Sequence, residues 1–552
     1  MEVIVEVLAT DNASNVTFQN VPIEFSFTTE TKYEDPFSTV DVDMVVTNPD
    51  GHSQRVPAFW AGGNTWKIRY ASSKKGDFYW SLECSNRKDK DLHQKRGTLT
   101  VLPYKGELYL YKHGAIKISE DRRHFEHEDG TPFFWLGDTW WMALSRMHWP
   151  EDFKELVADR KSKGFNLVQV VAGIFPEFRE KEPLPEYAAN EGGTAWDNDF
   201  NSLRPEYFDA VDMRIKYLIE QGITPCIVGA WGYFMPWMGE AKLKAHWRYL
   251  IARYGAFPVI WIGAGEANLP YYADEVFPDD RQKQARRWSD VTRYVRTIDP
   301  YNRLISVHPT AWHFFTSRHC IDDENLIDFD FLQTPHGAQY YDRISPIEEM
   351  VYLTALQSRA AGVPKPVING ESSYDMHAGL ETPDVPRHNF WISITNGAAG
   401  HTYGANGIWQ VNGNGDAYMN YGEVTWKEAM SYEAATQIGG AKKWMETLPW
   451  HSFQPYYNWA KWEESSKNYA IDRIIPFGLG QINGIRLFYM LYSKPIVVYQ
   501  LEPEREYALT YFDPVELKET EGGTFVPNIS GCATIKPPDY SHDWVITIVP
   551  VK

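Results

Sequence analysis

The feature that most constrains this chain is an alternation of strands and helices, repeated eight times between about residue 114 and residue 448. Such an alternation within one stretch of chain predicts a (β/α)8 barrel. A doubly wound open sheet is the alternative, and it is disfavoured because no GxGxxG or GxxxxGK[ST] phosphate-binding loop follows any of the strands. The eight predicted strands are Phe133–Leu136, Asn166–Val171, Thr224–Val228, Val259–Ile262, Leu304–Val307, Phe329–Gln333, Pro366–Asn369 and Ala399–Tyr403.

Helical periodicity fits the segments between these strands. After Pro150, apolar residues recur at Phe153 and Leu156, and Gly164 provides a stop signal. The stretch from His313 to Asp323 is too short and irregular to assign. The other predicted helices are Pro205–Gln221, Glu240–Tyr254, Arg281–Ile298, Pro346–Ala361 and Arg387–Thr395.

Short strands without intervening helices flank the barrel on both sides. We therefore predict a multidomain protein, α/β and all-β, with an N-terminal β-sandwich over 1–104, the catalytic barrel over 105–448 and a C-terminal β domain, also a sandwich, over 449–552. The charged run 85–96 is interpreted as a solvated hairpin loop. The N-terminal strands are predicted at Val3–Val7, Ile23–Thr28, Val42–Thr47, Thr65–Tyr70, Phe78–Cys84 and Gly97–Leu102, and the C-terminal ones at Trp459–Glu463, Tyr469–Arg473, Arg486–Tyr492, Val497–Tyr499, Ala508–Phe512 and Val545–Val549.

Charge and hydropathy bear on partners and location. The net charge of −19 repels nucleic acids and anionic membrane surfaces, so neither is an expected partner. No run of 18 apolar residues and no leader-like start is visible, so we expect a cytoplasmic protein, or a secreted one if a leader was removed. The four cysteines form no CxxC pair, which argues against a disulfide scaffold or a zinc cluster.

Aromatic residues make up 15% of the chain and include 22 tryptophans. Trp and Tyr combine a flat apolar face with a polar edge, and an excess of them is typical of grooves that stack sugar rings. A carbohydrate is therefore the expected partner. A homo-oligomer is compatible with the sequence.

Two glutamates stand out at the strand ends where a barrel concentrates its reactive groups. Glu266 follows strand four and Glu371 follows strand seven, each directly after a glycine. Paired carboxylates among aromatics suit glycoside hydrolysis, in which one acid protonates the leaving oxygen and the other attacks the anomeric carbon or activates water. An ion pair or a helix cap is the alternative role for either residue alone.

Further residues at the strand ends are candidates for substrate binding. Asp138 would bind a sugar hydroxyl, or else cap the turn into Thr139. The histidines would hold hydroxyls or orient Glu371, or else bond to the backbone. The tyrosines would support the nucleophile and the tryptophans would stack on sugar, with core packing as the alternative for both. These candidates are Trp141, Trp231, Asn268, His308, Trp312, His336, Tyr374, Tyr403 and Trp409. No HExxH motif or close His pair is present, so neither a metal nor another cofactor is expected.

Several segments resemble one known family. They are Phe125–Trp140, Trp261–Glu266, Lys365–Glu371, Leu448–Trp450 and Tyr511–Pro514, and they are similar to the apiosidase-like barrels of the retaining glycoside-hydrolase clan A. The resemblance implies Glu266 as acid/base and Glu371 as nucleophile. One departure is Gly265, because much of the clan has Asn at that position to contact the sugar 2-hydroxyl.

The sequence therefore predicts a glycoside hydrolase of carbohydrate metabolism or polysaccharide degradation. It would cleave a glycosidic bond in a glycoside, oligosaccharide or polysaccharide, with retention of configuration. The insertion Phe175–Asn201 would wall one side of the cleft and favour exo action. The alternatives are a non-catalytic carbohydrate-binding protein on a barrel scaffold and a metal-dependent barrel hydrolase.

Overall fold

In the computed structural model, β domains flank a central eight-stranded parallel barrel, as predicted. The bounds 1–104, 105–448 and 449–552 stay predictions. The structure describes residues 3–8, 12–174, 188–269, 281–310, 315–334, 336, 351, 363–377, 382–413, 423–463 and 475–551.

The N-terminal domain packs a four-stranded sheet, β1-β3-β7-β6, on a five-stranded sheet, β2-β9-β8-β4-β5. Its strands are β1 Val5–Leu8, β2 Ser14–Phe18, β3 Ile23–Thr28, β4 Val42–Thr47, β5 Ser53–Pro57, β6 Phe59–Trp60, β7 Thr65–Tyr70, β8 Gly76–Cys84 and β9 Arg96–Leu102, with a short helix α1 at Pro36–Thr39. The rings of Phe25 and Phe27 contact Trp80 at centroid distances of 5.6 and 5.9 Å, and this contact joins the two sheets. The charged run connects β8 to β9 as a hairpin, as predicted, but it is not solvated throughout, because Asp89 and Leu92 are buried.

A small cap precedes the barrel and packs against the amino-terminal ends of its strands. It consists of α2 Tyr109–His113 and a sheet of β10 Ile116–Ile118, β11 Phe125–His127 and β12 Pro132–Phe133. Phe125 contacts Trp135 and Phe329 at 5.4 and 5.5 Å between ring centroids. Phe133, predicted to begin the first barrel strand, belongs to this cap because it pairs with Phe125 across β11 and β12.

The barrel strands are β13 Trp135–Thr139, β14 Leu167–Val171, β15 Thr224–Val228, β16 Ile260–Ile262, β17 Ile305–Ser306, β18 Asp330–Gln333, β19 Val367–Glu371 and β20 Gly400–Tyr403. They are paired in parallel from β17 through β13 to β20 and on to β18. The remaining gap between β17 and β18 is bridged by the Asp328 N–H donating to the Ile305 carbonyl (2.9 Å) and by the Ser306 hydroxyl donating to the Phe329 carbonyl (2.7 Å). The barrel is therefore nearly closed, and its carboxyl ends share one face.

The helices around the barrel are α3 Ala143–Arg146, α4 Glu151–Lys163, α5 Pro205–Gln221, α6 Phe234–Tyr254, α7 Arg281–Ile298, α8 Asp384–Thr395, α9 Trp426–Ala429 and α10 Glu433–Met445. Short 3-10 turns lie at Ser317–His319, within the stretch left unassigned, at Glu324–Leu326 and at Trp450–Ser452. The predicted helix Pro346–Ala361 lies outside the described residues, Val351 excepted. No helix in the described part of the chain is long and apolar enough to cross a membrane.

The C-terminal domain contains a six-stranded sheet, β21-β23-β24-β29-β26-β27, and a three-stranded sheet, β22-β25-β28. The predicted strand Tyr469–Arg473 lies outside the described ranges. The strands are β21 Gln454–Pro455, β22 Ala460–Trp462, β23 Phe477–Gly480, β24 Arg486–Met490, β25 Ile496–Val498, β26 Tyr507–Asp513, β27 Lys518–Phe525, β28 Ala533–Ile535 and β29 Trp544–Pro550.

Buried ion pairs join both flanking domains to the barrel. On the N-terminal side, Arg69 of β7 binds Glu24 of its own sheet (2.8 Å) and Asp212 of α5, to which Arg253 of α6 also donates (2.9 Å). On the C-terminal side, Arg387 of α8 binds Asp543 at 2.6 Å. Because these charges are removed from water, each depends on its partner across the joint.

Candidate active site

The two glutamates lie at the carboxyl ends of barrel strands β16 and β19, with β17 and β18 between them. Glu371 is the last residue of β19, and Glu266 follows β16 after three small residues. Only 8% of Glu266 and 4% of Glu371 is exposed. Carboxylates of such low exposure need nearby polar partners, and those partners determine which of the two carries the charge.

Glu371 accepts hydrogen bonds at both oxygens. His308 donates from Nε2 to Oε2 at 2.7 Å, and the Tyr374 hydroxyl donates to Oε1 at 2.5 Å. His336 lies 3.5 Å from Oε1 through its Nε2 atom. Short hydrogen bonds of this kind are typical of an ionised acceptor.

His308 is fully buried and bonds through both ring nitrogens. Its Nδ1 accepts the backbone N–H of Glu266 at 3.0 Å, so in the neutral ring the proton lies on Nε2. That proton points at Glu371. One imidazole therefore fixes the backbone at Glu266 and donates to the carboxylate of Glu371.

The pKa of Glu371 lies below its ordinary value. Burial raises it, but the hydrogen bond from His308, the charge of His336 and the bond from Tyr374 together outweigh burial. The pKa of the Tyr374 phenol is raised well above its usual value by burial and by its bond and proximity to Glu371. Tyr374 thus stays protonated as a donor, close to both carboxylates, and Glu371 stays ionised.

Glu266 has a different environment. Trp231 donates from Nε1 to Oε2 and Gln333 donates from Nε2 to Oε1, each at 3.2 Å. These bonds are longer than those to Glu371, which favours placing the charge on Glu371. The backbone of Glu266 has a φ of +41°, a left-handed geometry that few non-glycine residues adopt. The bonds from Glu266 N–H to His308 and from Leu269 N–H to the Glu266 carbonyl hold it there.

The structure explains the departure at Gly265. A Cβ atom at this position would lie 2.2 Å from Cε3 and Cζ3 of Trp231. The indole that donates to Glu266 therefore occupies the space that an asparagine side chain would need. Trp231 and Gly265 act as a pair, since the ring fits only where no side chain is present.

Aromatic rings continue this cluster. Trp141 donates from Nε1 to the Tyr374 hydroxyl at 2.9 Å, and its ring stands edge-on to Trp231 at 5.4 Å. Trp409 is stacked on Tyr374, with ring centroids 5.8 Å apart. The structure thus brings together eight of the predicted site residues: Trp141, Trp231, Glu266, His308, His336, Glu371, Tyr374 and Trp409.

Three predicted residues make other contacts. The carboxylate of Asp138 is fully buried and binds Arg160 (2.6 Å), and it also accepts the Thr139 N–H, which is the turn-capping alternative stated above. Tyr403 donates to Asp375 at 2.8 Å and not to Glu371. Asn268 accepts the N–H of Thr310 at 2.8 Å. Their substrate-binding roles stay predictions.

Two residues near the carboxylates were not among the predicted site residues. Gln333 contacts Glu266, and the ring of His377 lies 5.5 Å from that of His336. Gln333 is the last residue of β18, so its position at the carboxyl end of a barrel strand could have identified it as a candidate. Trp312, and the predicted wall up to residue 187, lie outside the described residues. Within the described ranges, no three His, Cys, Asp or Glu side chains are grouped as metal ligands.

Sequence comparison identifies two family profiles. The profile described as "Apiosidase-like, catalytic domain" matches residues 119–452. A domain of unknown function, DUF5060, matches residues 17–85 within the N-terminal sandwich. No curated protein matches the sequence significantly.

Several solved structures share the fold. One described as a glycoside hydrolase is 23% identical, with a TM-score of 0.66 over 81% of this chain and 98% of that chain. A glycoside hydrolase family 5 structure from Bacteroides vulgatus ATCC 8482 is 22% identical, with a TM-score of 0.66 over 81% and 94%. Another structure from that organism is 19% identical, with a TM-score of 0.66 over 97% and 100%, so its likeness includes the flanking domains.

Proposed function

The chain belongs to the apiosidase-like family of glycosidases, and we propose that it cleaves its substrate by a two-carboxylate mechanism with retention of configuration. In this mechanism Glu371 is the nucleophile and Glu266 the acid/base. The observation that carries the proposal is the asymmetry of the two carboxylates. Glu371 receives short hydrogen bonds and has a lowered pKa, whereas Glu266 receives longer bonds from neutral donors.

In the first step, a Glu371 oxygen attacks the anomeric carbon and the bond from that carbon to the leaving oxygen breaks. Glu266 transfers its proton to the leaving oxygen, so the aglycone departs as an alcohol and a glycosyl ester forms on Glu371. Tyr374 and His308 keep Glu371 ionised before the attack. Low exposure of both carboxylates strengthens these interactions because little water competes.

In the second step, the ionised Glu266 takes a proton from a water molecule, and the water oxygen attacks the anomeric carbon. The ester bond breaks and Glu371 leaves as a carboxylate. Two inversions at one carbon give net retention. Trp141, Trp231 and Trp409 surround the two carboxylates and are the aromatic residues that would contact the sugar ring.

The test is a Glu371→Gln variant assayed on a panel of aryl glycosides and oligosaccharides. We expect kcat/KM to fall by roughly 10⁴-fold or more, because the amide cannot act as the nucleophile. Glu107→Gln is the matched control, since 92% of that side chain is exposed. The configuration of the first product formed by the unmodified protein, followed by proton NMR, checks the stereochemistry.

Full activity of Glu371→Gln would remove this residue from the mechanism. A product of inverted configuration would replace the double displacement with a single attack by water. Absence of hydrolysis across the panel would favour a non-catalytic carbohydrate-binding protein.

A further inference from the structure

We propose that a second saccharide site exists on the side of the barrel, where α6 and α7 face the N-terminal sandwich. A cavity of about 560 Å³ lies there, here called the flank pocket, and Phe37, Trp60, Trp196, Lys244, Arg248 and Tyr294 are among its lining residues. This volume lies within the ~300–1,000 Å³ typical of small-molecule sites, which are frequent between domains. None of its lining residues belongs to the candidate active site.

Both domains build the walls of the flank pocket. Phe37 of α1 contacts Trp196 and Tyr249 edge-on, with centroid distances of 5.3 and 5.9 Å. The Tyr249 hydroxyl of α6 donates to the Trp60 carbonyl of β6 at 3.1 Å. These contacts fix the sandwich residues against the barrel, so the pocket is formed before a ligand arrives.

Aromatic faces give the flank pocket its chemical character. Phe37, Trp60 and Tyr294 are half-buried, and each therefore keeps part of its ring accessible. Trp60 uses its indole N–H on the Gly63 carbonyl at 2.9 Å, which fixes the orientation of the ring. Flat, oriented and partly exposed rings suit the C–H faces of a sugar.

Most charged groups of the flank pocket are paired with oppositely charged side chains. Arg248 binds Asp43 at 2.6 Å and Asp41 at 3.2 Å, and Lys244 binds Glu240 at 2.5 Å. A site for a phosphate or an acidic sugar would hold an excess of positive charge. Here the ion pairs neutralise Arg248 and Lys244, and the remaining lysine of the lining, Lys242, is balanced by the carboxylate of Asp35. Paired groups still provide donors and acceptors for hydroxyls. The chemistry therefore fits a neutral saccharide better than an anion.

The position of the pocket suggests what such a site does. Trp196 belongs to the connection that follows β14, on the barrel face that carries the two glutamates, whereas Tyr294 lies on the outer helix α7. The pocket thus extends from the edge of that face down the side of the barrel. A saccharide bound there would be held on the protein without occupying the candidate active site.

The test is binding to an array of neutral and acidic oligosaccharides, with the full chain carrying Glu371→Gln so that no ligand is cleaved. Trp60→Ala and Tyr294→Ala are added to that background, one on each wall. Tyr540→Ala is the matched control, since it removes an aromatic residue that is 68% exposed in the C-terminal domain. We expect Kd for a neutral oligosaccharide to rise about tenfold or more in both pocket variants and to be unchanged in the control.

Equal binding by the pocket variants and their parent would overturn the inference, because the ligand would then lie elsewhere. Binding of acidic glycans alone, or of none, would overturn it as well. If one variant fails to fold by circular dichroism, the other, from the opposite wall, decides. The dissociation constants measured here do not depend on the proposed catalytic mechanism, which the hydrolysis assay tests separately.

Discussion

At the scale of single residues, His308 links the two carboxylates. It accepts the backbone N–H of Glu266 and donates to Glu371, so the tautomer of its neutral ring is defined by its neighbours. The lowered pKa of Glu371 depends in large part on this donor. A carboxylate with a depressed pKa stays ionised as the pH falls, until the pH passes through that lowered value.

We expect His308→Asn to move the acidic limb of the kcat/KM profile to higher pH. Asparagine can keep the acceptor toward Glu266 but loses the donor to Glu371, so the pKa of Glu371 rises. A hydrogen bond to a charged group is worth about 1.5–3 kcal/mol, so kcat/KM near the acidic limb should fall about tenfold or more. The measurement is the pH profile on an aryl glycoside.

His308→Gln is the control, because its amide nitrogen can replace Nε2 as donor to Glu371. It should show the smaller displacement of the acidic limb. Identical profiles for both variants and the parent would mean that His308 does not control the charge of Glu371.

How far the site could be predicted depends on where each residue's partners lie in the chain. Glu266 and Glu371 were found because barrel strands end at known places. Asp138 also lies at the end of a barrel strand. Its partner Arg160 comes from α4, however, and no local sequence pattern predicts that ion pair. The bond from Gln333 to Glu266 joins residues 67 positions apart, which only the folded barrel brings together.

At the scale of elements, the segment that follows β16 contains two glycines with different surroundings, Gly263 and Gly265. A Cβ at Gly263 would lie 3.3 Å from the Thr292 hydroxyl, a tight contact that a shift of a few tenths of an ångström would relieve. A Cβ at Gly265 would overlap the Trp231 ring. A methyl group at residue 263 therefore requires only a small shift of Thr292, whereas one at residue 265 requires the Trp231 ring to leave its place.

We expect Gly265→Ala to displace Trp231, to weaken its bond to Glu266 and to lower kcat/KM at least about tenfold. Overpacking of this kind also costs about 1–3 kcal/mol in the free energy of unfolding. Gly263→Ala is the matched control on the same strand and should remain near the parent in both quantities. Denaturant unfolding and steady-state kinetics measure the two effects, and equal behaviour of the variants would contradict the packing argument.

The ends of helices and strands could be predicted where residues at those ends, such as proline or glycine, mark them in the sequence. The bounds of α5 agree because Pro205 begins it and Gly222, at a φ of +77°, ends it. α6 begins at Phe234 instead of Glu240, since the chain continues through a kink at Gly239 that the sequence pattern presents as a boundary. The edge strands β2 and β5 were missed because their exposed polar residues dilute the apolar pattern.

At the scale of the whole molecule, buried charges fasten the sandwich to the barrel. Burial raises the pKa of Asp212, but the charges of Arg253 and Arg69 outweigh it and hold that pKa well below its usual value. The folded-state pKa is therefore lower than the unfolded one. The stabilisation is complete at neutral pH and is lost as the pH falls through the depressed value.

We expect Arg69→Met to lower the free energy of unfolding by about 3–5 kcal/mol, because Glu24 and Asp212 lose a buried partner. The pKa of Asp212 should rise, so acid unfolding should begin at higher pH. Arg55→Met is the control, since Arg55 is 53% exposed in its ion pairs and should cost no more than about 1 kcal/mol. Denaturant melts across a pH series test both, and matching losses for the two variants would refute the assignment.

The ion pair between Arg387 and Asp543 limits how the protein can be truncated. Cutting between the barrel and the C-terminal domain would remove Asp543, the buried partner of Arg387, and uncover the apolar surface that α8 buries against that domain. At the N-terminal side, removing the sandwich would take Arg69 away from Asp212. Replacing either flanking domain with a foreign module would therefore require the matching charge to be transplanted with it, Arg69 on the N-terminal side or Asp543 on the C-terminal side, and a trimmed barrel would be prone to aggregate.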